Sequence, residues 1–211
     1  FIQLVVLTVL LVSTGIVQRQ LAFMKGKSLG FDKEQKLVLE VKSDLPGFRS
    51  RFEDVRRALV AHPAVLNGTV SSAVPGNQRG GYYLWEPDKL EEDPVWNNVV
   101  TLDPYYTDVY GLKLIAGRMF DPDRPEEAEE CYMMTRTAVT NLGFANPEDI
   151  IGRQYFAHYY RKSKEVIGVV EDFHILGMQE EIMPLLLDQE DSLHRLITLT
   201  LAENQISDAM D

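Results

Sequence analysis

Between Phe1 and Val17 the only polar side chains are Gln3, Thr8, Ser13 and Thr14, no residue is charged, and Arg19 then ends the run. A helix over this stretch is roughly 27 Å long, slightly short of the ~30 Å hydrocarbon core of a bilayer. It has no amphipathic stripe, which argues against a helix lying on a water-soluble core. The sequence therefore predicts a membrane anchor, the C-terminal part of a transmembrane helix over 1–24 whose first residues precede Phe1. Leu4, Val5, Val6, Leu7, Val9, Leu10, Leu11, Val12 and Ile16 are its expected lipid-facing residues. A cleaved signal peptide fits poorly, because no basic leader and no small-x-small site accompany the apolar run.

Beyond the anchor the chain is composed like a folded domain, with 45% hydrophobic and 25% charged residues over its 211 positions. The net charge is −11. Arg19, Lys25, Lys27, Lys33 and Lys36 outnumber Asp32 and Glu34 next to the anchor, so the acidity lies in the rest. Such a surface repels phosphate backbones, and nucleic acid is not an expected partner. The basic flank alone would place the domain in the cytoplasm, but that rule compares both flanks of a membrane helix. A single cysteine, Cys131, excludes an internal disulfide and leaves the compartment open.

Along the chain, KLVLEV (36–41) predicts a strand. Phe48, Phe52, Val55 and Leu59 then recur at helical spacing, with Arg49, Arg51, Asp54, Arg56 and Arg57 off the stripe. His62-Pro63 stops that helix, and a strand over 65–72 completes a strand–helix–strand unit. From Pro75 the composition shifts to Gly, Pro, aromatics and acids, the mark of an inserted lobe. Inside it the pattern predicts a strand over 96–103, a short helix over 103–111, and a strand over 111–120 bent at Gly117. The acidic stretch 126–130 reads as a solvated loop or helix start. A helix runs from a Thr135 cap to Gly143, then another with Asn146 as cap, Pro147 in its first turn and Gly152 as its end. Strands over 153–160 and 164–173 pair across Arg161-Lys162-Ser163, and 196–201 is a further strand. The strands near 36–42, 65–72, 165–172 and 196–201 are expected to share one sheet, because a single strand–helix–strand unit cannot cover both its faces.

No catalytic constellation emerges. There is no phosphate-cradling glycine loop, no G-x-S-x-G elbow and no H-E-x-x-H. Four scattered histidines, His62, His158, His174 and His194, point to satisfied structural residues rather than a metal. Cys131 reads as a buried thiol. Asp172 and His174 share a face in an extended strand, yet no nucleophile accompanies them. Tyr82, Tyr83 and Trp85 form either a ligand groove or an anchor for the insertion.

Several segments in order do resemble one family, the extracytoplasmic core domain of MacB-like and FtsX-like ABC transporter permeases. They are QLAFMKGKSLGFD at 20–32, VPG at 74–76, YGLKLIAGRMF at 110–120, TAVTNLG at 137–143, EDIIGRQY at 148–155, and EVIGVVEDFHILGMQEEIMPLLL at 165–187. The matching motif residues are Gly30, Phe31, Pro75, Gly76, Gly117, Arg118, Phe120, Gly143, Gly152, Gly168, Asp172, Phe173 and Pro184, expected to be structural. TRTA at 135–138 departs from the N-E-x-A that relatives often carry, which alters a local capping contact. The resemblance implies an α+β fold: a membrane-anchoring helix and a two-lobed periplasmic domain. A porter-like lobe would be built from 25–75 and 164–211, and a sabre-like lobe would be inserted over 76–163. It further implies a non-enzymatic permease subunit of the inner membrane, without cofactor or metal, that contacts lipid and works as a dimer with a cytoplasmic ATPase subunit. Its function would be to couple ATP-driven helix motion to export or lipoprotein release. A membrane-anchored sensor or ligand-binding domain is the alternative, and a tethered hydrolase lacks the residues for its chemistry.

Overall fold

The computed structural model describes residues 1–26, 30–32, 35–41, 51–75, 77, 80–90, 93–157, 162–175, 181–190 and 193–202. Its first element, α1 (Ile2–Gly26), is a continuous helix two residues longer than the expected end near Met24. Ile2–Gln20 is long and apolar enough to cross a membrane, and none of the described residues buries it. All nine expected lipid-facing residues, from Leu4 to Ile16, are exposed. An all-round apolar surface left bare in water is what a bilayer would cover.

The rest is α+β and is organised by two sheets. The smaller holds β1 (Lys36–Glu40), β2 (Val65–Ser71) and β10 (Leu196–Leu201) in the order β1-β10-β2. Both outer strands run antiparallel to β10, with Lys36 opposite Thr200 and Leu196 opposite Ser71. The predicted strand–helix–strand unit therefore forms split, with the last described strand inserted between its two strands. Helix α2 (Phe52–Val60) covers one face, packing Phe52, Val55 and Leu59 against Ile197, Leu199 and Val70. Residues 42–50, which include Phe48 and Arg49 of the expected helix, lie outside the described residues.

The larger sheet has seven strands: β3 (Gly81–Trp85), β4 (Val95–Thr101), β5 (Leu114–Gly117), β6 (Cys131–Thr135), β7 (Gln154–Ala157), β8 (Lys162–Val170) and β9 (Leu185–Asp188). The order is β5-β8-β6-β9-β4-β3-β7, and β7 also pairs with the first half of β8. Six of the strands thus close into a ring, and β5 is added beside the second half of β8. Closure removes the unpaired backbone edges that an open sheet must protect. Alternation puts Tyr82, Leu84, Val99, Tyr132, Met134, Tyr155, Val166 and Leu186 into one buried cluster inside the ring. Helix α5 (Arg136–Asn141) adds Ala138 and Val139 to it. The opposite faces of β4, β6, β8 and β9 join α3 (Tyr106–Val109) in a second core with Tyr106, Tyr110, Phe120 and Phe173.

The strand over 165–172 does not share the sheet of 36–42, 65–72 and 196–201. As β8 it pairs with β5, β6 and β7 in the large sheet. Its run from Val166 to Val170 is buried on both faces, and only a closed or fully covered sheet accommodates that. Sheet membership consequently changes after β2 and returns only at β10, not at residue 163. The expected hairpin of 153–160 with 164–173 forms, although Lys162 and Ser163 belong to β8 itself. Residues 147–150 make a 3₁₀ turn rather than an α-helix. Glu127, expected on a solvated stretch, begins α4 (Glu127–Glu130), is buried, and pairs with Arg118 at 2.6 Å.

Candidate functional site: the stem junction and the seam between the sheets

Three residues of the chain leaving α1 are locked onto the domain. Gly30 has φ +79°, and a Cβ there would lie 2.6 Å from the Asp172 carbonyl oxygen and 2.9 Å from the Phe173 Cα. Only glycine fits this approach. Phe31 places its ring edge-on to Tyr110 at 6.1 Å and packs on the core that contains Phe173 and Phe120. The Asp32 amide donates to the Tyr110 carbonyl at 2.8 Å. Four residues on, the Lys36 ammonium donates to Asp32 at 3.3 Å and to the Thr200 hydroxyl at 3.0 Å.

Tyr110 is the hub of this junction. Its hydroxyl shares a hydrogen bond with Thr198 of β10 at 2.9 Å, and its ring lies 4.6 Å from that of Tyr106. Burial pushes the phenol up to about 12, so it stays neutral and able to donate. From the other side of the stem, Asp172 accepts from the Thr137 amide and hydroxyl, both at 2.8 Å. A carboxylate at the end of β8 thus caps α5 from a distance, a role sequence spacing assigns to the adjacent residue Thr135. Thr135 instead exchanges hydrogen bonds with Leu185. Asp172 is occupied by Thr137, so it forms no acid–base pair of the kind Asp172 and His174 suggest in sequence.

The seam between the two sheets is short and polar. Ser71 bridges Leu102, the Ser72 amide donates to Thr101 at 2.8 Å, and the Asp103 amide donates to Val70 at 3.0 Å. The Asp103 carboxylate reaches back across the seam to the Thr69 hydroxyl and, at 3.0 Å, to the Val70 amide. Burial pushes its carboxyl up to about 6, against the pull of those two donors and of Arg56 at 3.5 Å. Arg56 is only 6% exposed, although its place off the apolar stripe predicts solvent. Its guanidinium takes both Glu53 oxygens at 2.7 Å and lies 3.8 Å above the Tyr105 ring. An acid three residues before an arginine is the available signal, but the remote half of the cluster, Asp103 and Tyr105, leaves no local trace.

The other motif residues hold the ring together. Gly117 has φ +70°, and Cβ atoms at Gly117 and Gly168 would lie 2.2 and 2.1 Å from the Ile167 and Arg118 carbonyl oxygens. The two glycines let β5 and β8 cross. Phe120 is buried in the same core as Tyr110, and the Pro184 carbonyl accepts the Asn98 amide at 2.9 Å. Gly143 and Gly152 take left-handed turns after α5 and after the 3₁₀ turn, with φ +90° and +82°. Pro75 lies in a turn, and Gly76 is outside the described residues. Cys131 is buried, as expected of an inert thiol. Tyr83, Trp85, Trp96 and Phe156 instead line the outer wall of the ring with ring-to-ring contacts of 4.8–6.4 Å. Among the described residues no group of three or more His, Cys, Asp or Glu is placed to hold a metal.

No protein-family model matches the sequence, and comparison with the curated proteins finds no match either. The fold does have solved counterparts. The periplasmic region of MacB from Actinobacillus actinomycetemcomitans superposes with a TM-score of 0.59 at 18% identity, over 86% of this chain and 80% of that one. The extracellular domain of the noncanonic ABC-type transporter YknZ from Gram-positive bacteria superposes with a TM-score of 0.57 at 16% identity, over 82% and 88%. The chain therefore has the α+β fold of the MacB periplasmic region, as the sequence resemblance implied.

Proposed function

We propose that this chain is the extracytoplasmic part of an ABC-type transporter permease subunit, and that its stem junction passes the motion of a membrane helix into the domain. The observation that carries this reading is the lock at Gly30, Phe31 and Asp32 on Tyr110, Asp172 and Phe173. A tilt of α1 acts on a hub hydrogen-bonded to the small sheet through Thr198 and on a carboxylate that caps α5 of the ring. A displacement delivered at Gly30, Phe31 and Asp32 is shared by both sheets.

On this reading α1 sits in the inner membrane in contact with lipid, and the domain faces the periplasm. The subunit dimerises and takes its energy from a cytoplasmic ATPase subunit, for export or lipoprotein release. The small sheet is the porter-like lobe and the ring the sabre-like lobe, with the division falling after β2 and before β10. The chain itself catalyses nothing and needs no cofactor. Its likeness in fold to the MacB periplasmic region supports the transporter class.

The test is a slack stem. A Gly/Ser segment of ~10 residues inserted after Met24 behaves as a coil with a root-mean-square reach of about 17 Å and lets the domain lag the helix. In membranes reconstituted with the ATPase partner, ATP hydrolysis should persist and export should be lost. Undiminished export would overturn mechanical transmission through the stem.

A further inference from the structure

The interior of the ring is mainly apolar and aromatic, yet at the end where α4 lies against β8 it holds an ion pair. Lys164 and Asp188 meet there at 2.6 Å, with side chains 3% and 0% exposed. Strand alternation turns both inward, as it does Val166 and Leu186. The register sets Asp188 beside Tyr132 of β6 on one side and Thr101 of β4 on the other, and Lys164 opposite Tyr155 of β7. The same ammonium donates to the Ala128 carbonyl at 2.6 Å and lies 5.0 Å from the centre of the Tyr132 ring. It therefore ties α4 to the ring from within.

α4 is four residues long, three of them acids, with no side-chain cap. Arg118 holds Glu127 at 2.6 Å, and Lys162 holds Glu129 at 2.7 Å in solvent, where such pairs contribute little. Both nearby acids of α4 are thus turned to other cations, and only the Ala128 carbonyl reaches the buried pair. Taking two charges out of water offsets most of their attraction, and an apolar pair of similar volume often holds a core as well or better. What the pair adds is a response to protons. The Asp188 Oδ2 and the Thr101 hydroxyl beside it are buried without hydrogen-bond partners among the described residues. Burial pushes the Asp188 carboxyl up to about 6 against the pull of Lys164, and Glu190 adds to the rise.

We propose that Lys164 and Asp188 form a proton-operated latch on α4: a proton taken up on the Asp188 Oδ2 lets the Lys164 ammonium swing out to solvent, frees the Ala128 carbonyl and loosens α4 from the end of the ring. Neutral Asp188 stays behind, its new O–H turned to the Thr101 oxygen. With Lys164 gone, the buried carboxyl loses the group that lowers it, so the released form holds the proton more tightly than the latched form. The released form therefore gains population as the pH falls, and the gain levels off below about 6, where both forms are protonated. Ala128 and Glu129 line a cleft of about 660 Å³ at the seam, so loosening α4 reshapes one wall of that cleft.

Cys131, the single cysteine of the chain, is buried and caps α4 by donating its amide to the Glu127 carbonyl, so its thiol reports the loosening of α4. The measurement is the rate of its reaction with a pyridyl disulfide in the full chain in detergent micelles, divided by that of a free thiol at the same pH. This ratio should rise about tenfold between about pH 7.5 and about pH 5, while the fluorescence of Trp85 and Trp96 stays that of the folded protein. Asp188→Asn, a permanently uncharged stand-in, should react fast at both pH values. Lys164→Met with Asp188→Leu removes both charges, keeps the core filled and should react at a rate ratio independent of pH. Asp103→Asn, which removes another buried carboxyl raised to about 6, should keep the wild-type profile. The proposal is overturned if the wild-type ratio is flat with pH, if the double variant keeps the wild-type rise, if Asp103→Asn abolishes it, or if the faster reaction comes with unfolding of the whole domain.

Discussion

The ring and the small sheet treat their backbone edges in opposite ways. The ring closes on itself through β7 and β8 and fills its interior with its own side chains. Among the described residues the small sheet has three strands, one covering helix, and an outer strand β1 whose Val38 and Leu39 are exposed. It depends on Tyr110 and Asp103 from the ring side for its second face. Three strands with one apolar face are near the lower limit of independent stability. A body that is stable alone and a body that borrows its stability respond differently to force at the stem, and the borrowed contacts are where motion can be steered.

The largest effect is expected at the crossing of β5 and β8. Gly168→Val puts a branched side chain where even a Cβ would lie 2.1 Å from the Arg118 carbonyl oxygen. The expected loss is about 4 kcal/mol or more, the range reserved for backbone clashes and core failures. Urea unfolding followed by tryptophan fluorescence checks it, since Trp85 and Trp96 both sit on the ring. If the ring is one cooperative unit, no partly folded plateau appears.

The second effect lies along the seam and depends on pH. His194 titrates near 4 when folded and near 6.5 when free, so the folded state binds fewer protons between those values. Its contribution is fully present above pH 6.5 and is lost as the pH falls through about 4. Asp103 runs the other way: its raised carboxyl favours the folded state below about pH 3.8, and that advantage is lost as the pH rises through about 6. Comparing wild type with His194→Gln between pH 6.5 and 4 isolates the histidine, and wild type should lose at most about 3 kcal/mol relative to the variant. A difference independent of pH would mean that the imidazole is not buried as described.

How much of this arrangement the sequence discloses depends on the range of each interaction. The apolar N-terminal helix, the strand over 196–201 and the β7–β8 hairpin are local patterns, and they read correctly. Ring closure rests on β3–β7 and β4–β9 pairings between segments about seventy and ninety residues apart, and neither leaves a local trace. The apolar run 165–170 is legible as a central strand but not as a member of a particular sheet, because every neighbour satisfies an apolar strand equally. Gly30, Gly117 and Gly168 are legible as motif positions; their physical role depends on carbonyl oxygens far along the chain. The burial of Arg56 escapes the sequence for the same reason: a helical stripe says nothing of a carboxylate forty-seven residues away.

The smaller effects sharpen the contrast at the hub. Tyr110→Phe removes one buried hydrogen bond between the ring side and β10 and should cost about 1 kcal/mol, or more if Thr198 is left unpaired. Asp172→Ala removes the remote cap of α5 at a similar cost. Amide hydrogen exchange separates the two: the first should speed exchange in β10 and leave the ring interior unchanged, and the second should do so at the start of α5 alone. Matching changes throughout the molecule for both would erase the distinction between a self-sufficient and a borrowed body.

The Asp32 amide reports directly on how stiffly the stem is held, because its hydrogen bond to the Tyr110 carbonyl at 2.8 Å exists only while the stem is docked. Residue-resolved hydrogen exchange by NMR on the full chain in micelles measures it. The predicted result is protection comparable to that of the Leu102 amide, which donates to Asp188 within the ring. Exchange of the Asp32 amide at the rate of an unstructured chain, while Leu102 stays protected, would mean that the stem is undocked and cannot carry motion into the domain.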